Sequence, residues 1–298
     1  MPLHDLTIRT IANYLVDKRN TLLIHLMRLN RRFYSLRDIF IGALSFDYVA
    51  GYYDRIYQSQ PRPYGWNKVY SIHSLVVTDL SQLGSIRMLE LCYCDGITDF
   101  SPLSKVYSLS LRMCSDLVDV SCLRNVHSLH FYQCPNILDV SALAHVHHLE
   151  LHYCEGISDI SALGSVHSLQ LLGCDKIVDI SALSSVKSLI IDDCLGITNY
   201  SALRHNKHLI LRQDNISNLS NFKLVKHLEL SYCRNICDVS CLGSVKKLRL
   251  QRCFRITDVS ALATVEELEI DDCSGIIDIS SLRKVPKLTI KNCRQLMD

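Results

Sequence analysis

What this sequence lacks narrows it first. Strong charge of either sign is missing: 32 basic against 30 acidic side chains in 298 residues leave a formal net charge of +2. That balance gives no whole-molecule field to draw in nucleic acid or a membrane surface. No apolar run approaches the roughly eighteen residues of a membrane-spanning helix. Residues 1–9 also lack the basic region, apolar stretch and cleavage site of a secretory signal. The expected chain is soluble and intracellular: cytoplasmic first, with the nucleus, or a host cytoplasm for a viral chain, as alternatives. Catalytic signatures are missing as well. There is no glycine-rich phosphate loop, no nucleophile elbow, no set of C-x-x-C pairs and no H-E-x-x-H. No enzyme activity and no cofactor are expected.

What is present is repetition. Val126, Leu129, Phe131, Cys134, Ile137, Asp139, Ser141 and Leu143 return twenty positions later as Val146, Leu149, Leu151, Cys154, Ile157, Asp159, Ser161 and Leu163. A fixed period in this range marks a solenoid, whose units bury their apolar sides only by stacking. The frame reads V-x-x-L-x-L-x-x-C-x-x-I-x-D-x-S-x-L. Its L-x-L pair has period two, so both leucines point inward on a short strand. Strands are expected at 75–77, 89–91, 109–111, 129–131, 149–151, 169–171, 189–191, 209–211, 228–230, 248–250, 268–270 and 288–290, all in one parallel sheet.

This frame resembles the leucine-rich repeat over about three quarters of the sequence. Its cysteine, where many such repeats carry asparagine, resembles the cysteine-containing class. The resemblance implies an α/β-type solenoid with one parallel sheet on the concave face and about eleven or twelve rungs over 71–298. It also implies inward thiols that satisfy backbone carbonyls between rungs. Twenty residues leave no room for a full outer helix, so an extended or 3₁₀ segment and a shallow arc are expected.

Ten of the fourteen cysteines, from Cys94 to Cys293, hold one repeat position, which reads as a column of buried reduced thiols. Cys233, Cys237 and Cys241 have ligand-like spacing, yet Cys233 is the column position and Cys241 replaces the usual alanine. The recurring Asp-x-Ser reads as an Asx-type turn, since catalytic carboxylates do not recur at every turn. Two irregularities stand out. One residue is missing between Leu211 and Ile216, and a strand at 75–77 leaves a degenerate first rung. At the other end the array stops partway through a rung at Leu296, Met297 and Asp298, where an open apolar end is expected.

The first forty residues are different in kind. Leu3, Leu6, Ile8, Ile11 and Leu15, then Leu22, Leu23, Leu26, Leu29 and Phe33, follow helical spacing. Pro2-Leu3, Leu6, Ile11, Tyr14-Leu15, Leu22-Leu23, Leu26 and the segment Leu29-Asn30-Arg31-Arg32-Phe33-Tyr34-Ser35-Leu36 resemble an F-box. That helical module binds the Skp1 adaptor of a cullin-RING ubiquitin ligase. The resemblance implies an adaptor face at Leu3, Leu6, Ile11 and Leu15, although the opening departs from the usual Leu-Pro order. The alternative is a plain helical cap for the solenoid. Residues 41–70 form an aromatic junction that includes Tyr52, Tyr53, Tyr57 and Trp66, the only tryptophan.

Function on a repeat scaffold resides in the side chains left over on the open, concave face. The candidates are His130, Tyr132, His148, Glu150, His152, Gln170, Asp192, Glu229, Arg249, Glu269 and Asp271. Around Glu150 the imidazoles read as a polar recognition patch or as a metal or pH-sensitive site. His148 and His152 are two strand steps apart, about 13 Å between Cα atoms, which argues against a metal held by both. Glu229, Arg249 and Glu269 form an alternating charge column, with Asp192-Asp193 and Asp271-Asp272 set against Arg249, Arg252 and Lys246-Lys247. The expected function is a non-enzymatic adaptor: the substrate receptor of an SCF-type ubiquitin ligase, with a Skp1-like adaptor on its helices and a substrate protein on its repeats. The alternatives are a repeat-only scaffold and a metal-dependent hydrolase at His130, His148 and His152.

Overall fold

An L-x-L pair on an extended chain sends both leucines to one side, and stacking such pairs hides them from water. The computed structural model describes residues 70–73, 80–81, 83–94 and 96–296. The F-box-like segment, with Leu3, Leu6, Ile11 and Leu15, and most of the aromatic junction lie outside the described residues. Among the described residues twelve strands form one parallel sheet in sequence order. They are β1 Tyr70–His73, β2 Met88–Cys92, β3 Ser108–Arg112, β4 Ser128–Tyr132, β5 His148–His152 and β6 Ser168–Leu172. β7 Ser188–Asp192, β8 His208–Arg212, β9 His227–Ser231, β10 Lys247–Gln251, β11 Glu267–Asp271 and β12 Lys287–Lys291 complete it. This is the leucine-rich-repeat solenoid that the frame implies.

The inward columns are dry. Leu129, Leu149 and Leu169 are at most 1% exposed, and Phe131, Leu151 and Leu171 are fully buried. Each such side chain contributes about 1.5–3 kcal/mol. Opposite the sheet the chain makes 3₁₀ turns, among them Ser141–Leu143 and Ser161–Ser165, whose leucines face the same core. The recurring Asp starts each of these turns. Asp139 Oδ1 accepts from the Ser141 N–H at 2.8 Å, and these Ser141 hydrogen bonds hold its carboxyl below the usual range. Asn199 and Asn218 accept the equivalent bonds at 3.0 and 2.9 Å, so the turn needs the oxygen and not the charge.

The thiol column stitches rungs together. Cys154 Sγ donates to Phe131 O at 3.7 Å, Cys174 Sγ to Leu151 O at 3.3 Å and Cys273 Sγ to Leu250 O at 3.5 Å. All fourteen cysteines are free thiols, and burial pushes Cys154 up to about 12. Before each column cysteine the backbone turns left-handed, as at Tyr153 (φ 53°), Asp193 (φ 47°) and Gly173 (φ 61°). The N–H of that residue still bonds the next rung, Tyr153 N to Leu172 O at 2.6 Å, while its φ swings the following thiol inward. The shortened rung lacks this left-handed residue. There Gln213 takes the thiol's place, 2% exposed, and donates from Nε2 to Cys194 O at 3.4 Å. In the valine column of the same rung, buried Asn206 donates from Nδ2 to Leu183 O at 3.0 Å and Val186 O at 2.9 Å. Its Nδ2 is thereby satisfied in the core, while its Oδ1 is buried without a partner among the described residues.

One expected strand is displaced. The strand paired with β2 is Tyr70–His73, with Tyr70 opposite Leu89 and Ile72 opposite Leu91. A strand at 75–77 would leave fourteen residues before Leu89, too few for a full coil, whereas Tyr70 precedes it by nineteen. That spacing equals the Leu209 to Leu228 step between β8 and β9, and the expected strand at 75–77 lies outside the described residues. On β12, Leu288 and Ile290 are only half-buried, unlike their counterparts in the interior rungs.

Candidate functional site

Two outward positions of each strand, the residue between the leucines and the residue after the second, form two columns on the open face. Register sets the neighbours: His130 lies opposite Glu150, Glu150 opposite Gln170, and Gln170 opposite Ile190. In the second column Tyr132 lies opposite His152, and His152 opposite Leu172.

Across β2 to β5 this face is an aromatic and imidazole cluster. Arg112 bonds Glu90 at 3.0 Å and lays its guanidinium over the Tyr132 ring, 4.7 Å from the centroid. The Tyr132 ring meets Tyr153 edge-on at 5.6 Å. His130 Nδ1 sits 3.3 Å from Ser110 Oγ, and its Nε2 lies 3.1 Å from His152 Nδ1. Glu150 Oε2 is 4.0 Å from His130 Nε2 and 3.8 Å from His152 Nε2. His152 is completely buried although it points to the outer column. Burial, with Arg112 nearby, brings it down to about 4; burial and His152 hold His130 well below its usual value. Both imidazoles are therefore neutral at pH 7. Desolvation pushes the Glu150 carboxyl up to about 7.

His148 does not join this cluster. It is exposed at the start of β5, beside His147 and His127, consistent with the two strand steps that separate it from His152. The proposed grouping of His130, His148 and His152 is thus replaced by two separate ones. Among the described residues two sets of candidate ligand atoms lie within 4.8 Å of one another: His130 with Glu150 and His152, and His127 with His147 and His148. The second set belongs to a stacked ladder along the edge of the sheet. Tyr107, His127, His147 and His167 stack in succession with centroids 4.6, 4.6 and 4.3 Å apart. Cys233 is buried in the thiol column, Cys237 is exposed and Cys241 is intermediate.

The middle of the face is apolar, which the charge pattern did not reveal. Ile190 and Ile210 are neighbours in the first column, and Leu172 lies next to them in the second. Leu172 and Ile190 are partly exposed, while Ile210 is 6% exposed. Gln170 borders this patch.

Beyond it the face is an ion lattice. Arg212 reaches Asp192 at 3.4 Å and Glu229 at 3.6 Å. Arg249 lies 3.7 Å from each of Glu229, Glu269 and Asp271. The alternating column is therefore as expected, but the partner of Asp192 is Arg212 on the next strand, not the more distant basic band. Arg252 instead pairs with Asp272 at 3.1 Å, and Lys246 with Glu266 at 3.2 Å. Desolvation raises the Asp192 carboxyl, partly offset by Arg212.

No family model matches the chain, and no curated protein matches it. Among solved structures it is similar to internalin C2 of Listeria monocytogenes, at 20% identity over 64% of this chain and 83% of that one, with a TM-score of 0.34. It is also similar to the functional domain of InlJ of Listeria monocytogenes, which includes a cysteine ladder. That match has 16% identity over 75% of this chain and 63% of that one, with a TM-score of 0.35. No helix among the described residues is long and apolar enough to cross a membrane.

Proposed function

We propose that this chain is a protein-interaction scaffold that captures another protein on the open face of its sheet. The observation that carries this reading is the contrast between nearly uniform inward columns and varied outward ones, with the apolar patch of Leu172, Ile190 and Ile210 at the centre of the variation. An apolar centre between polar and aromatic flanks is the usual anatomy of a protein interface. Substitution at Ile190→Lys is expected to abolish partner capture. Ser184→Lys, on an exposed 3₁₀ position, leaves capture intact. Equal capture by both variants overturns the reading.

The finer reading makes the scaffold a substrate receptor of an SCF-type ubiquitin ligase, with Leu3, Leu6, Ile11 and Leu15 engaging a Skp1-like adaptor. The F-box-like order of residues 2–36 supports it. Purified full chain should retain Skp1, and Leu6→Asp or Ile11→Asp should release it. Failure of the intact chain to bind Skp1 leaves the helices as a cap and the scaffold without a ligase role.

A further inference from the structure

We propose that His130, Glu150 and His152 bind one divalent metal ion of the zinc class on the open face of the sheet. The inference does not depend on which partner the scaffold captures. Parallel pairing puts His130 beside Glu150, and the two-residue step along β5 returns His152 to the same face. His130 Nε2 lies 3.1 Å from His152 Nδ1 and 4.0 Å from Glu150 Oε2, and one ligand atom from each of the three residues lies within 4.8 Å of the others. A tetrahedral zinc ion with bonds of about 2.0–2.1 Å holds its ligand atoms roughly 3.3 Å apart. Small side-chain rotations close the difference.

Several features single out this set. His152 is fully buried and held in place by the rungs on either side, so its ring is a fixed anchor. Ser110 Oγ, 3.3 Å from His130 Nδ1, supplies the outer contact that liganding histidines require. A proton on Nδ1 donated to Ser110 leaves the Nε2 lone pair directed at Glu150 and His152. The Glu150 side chain is 43% exposed, which leaves the fourth position open toward the face. Arg112, the nearby cation, is already engaged by Glu90 at 3.0 Å. The other set, His127, His147 and His148, contains no carboxylate to offset the charge of a dication.

The test is a titration of the chelator-treated full chain with cobalt(II), read by its visible ligand-field bands, and with zinc by calorimetry. One equivalent is expected to bind. Glu150→Gln and His130→Asn should each weaken binding by at least about tenfold, and Ser110→Ala by about tenfold through the outer contact. His147→Asn and His148→Asn should leave affinity unchanged. Long-range proton–nitrogen spectra give a second readout in the unmodified chain: zinc should shift the ring nitrogens of His130 and His152. Absence of stoichiometric binding overturns the proposal. So does binding that survives Glu150→Gln and His130→Asn, that is lost with His147→Asn, or that moves only other histidine nitrogens. Because all these readouts use the chain alone, they stand apart from the test of partner capture.

Discussion

The two ends of the open face occupy the same columns of the same repeat and are in opposite electrostatic states. Across β9 to β11, Arg249 is surrounded by Glu229, Glu269 and Asp271, so every charge has a counter-charge within the sheet. Across β4 and β5, Glu150 faces two imidazoles that burial keeps neutral. The first region has spent its charges internally; the second sets a carboxylate beside two imidazoles whose ring nitrogens lie 3.1 Å apart. Column position therefore says where a side chain points, and chemistry across the rungs decides whether it is scaffold or site.

The comparison is sharpest where the two regions should agree. Leu151→Ala and Leu250→Ala remove equivalent, fully buried leucines beneath the two ends. Each should cost about 2–5 kcal/mol in urea unfolding, and the two costs should be similar. A large inequality would mean that the inward columns are not one continuous core. The next effect should separate the regions. Arg249→Ala leaves three carboxylates crowded and should cost roughly 1–2 kcal/mol, less in high salt. In metal-free buffer Glu150→Gln should change stability by under about 1 kcal/mol, because it removes a desolvated charge that has no cationic partner.

A smaller effect concerns the turns that both regions share. Asp119, Asp139, Asp238 and Asp258 have carboxyls lowered by hydrogen bonds from the following serine. A depressed folded value contributes stability that is present above the ordinary value near 3.8 and is lost as pH falls through the folded value. Acid melts should therefore decline below about pH 4. Asp139→Asn should keep the turn, as Asn199 and Asn218 do, and flatten its share of that decline. Unchanged acid sensitivity in a chain with several such replacements would remove the Asx turns from this account.

Much of this architecture is legible in the sequence. Identical residues at fixed spacing can serve only a repeated local geometry, so strands, thiol column, 3₁₀ side and Asx turns follow from the frame. Leu75 and Val77 satisfy the local L-x-L pattern, while Tyr70 and Ile72, which pair with β2, satisfy the coil length. The left-handed column was hidden behind varied side chains, although Gly173, Asp193, Asp272 and Asn292 are types that tolerate positive φ. Leu172, Ile190 and Ile210 escaped notice because an aliphatic residue in a strand reads as core whichever way it faces. The tie between His130 and His152 depends on ring orientations that spacing alone does not encode.

The most direct test of the central claim places a photo-crosslinking amino acid at Gln170 or Ile190 on the open face and at Ser184 or Arg204 on the 3₁₀ side. After irradiation in cell extract, the account predicts the same discrete protein adducts from the two open-face positions and none of them from the 3₁₀ positions. Adducts confined to Ser184 and Arg204 would contradict it.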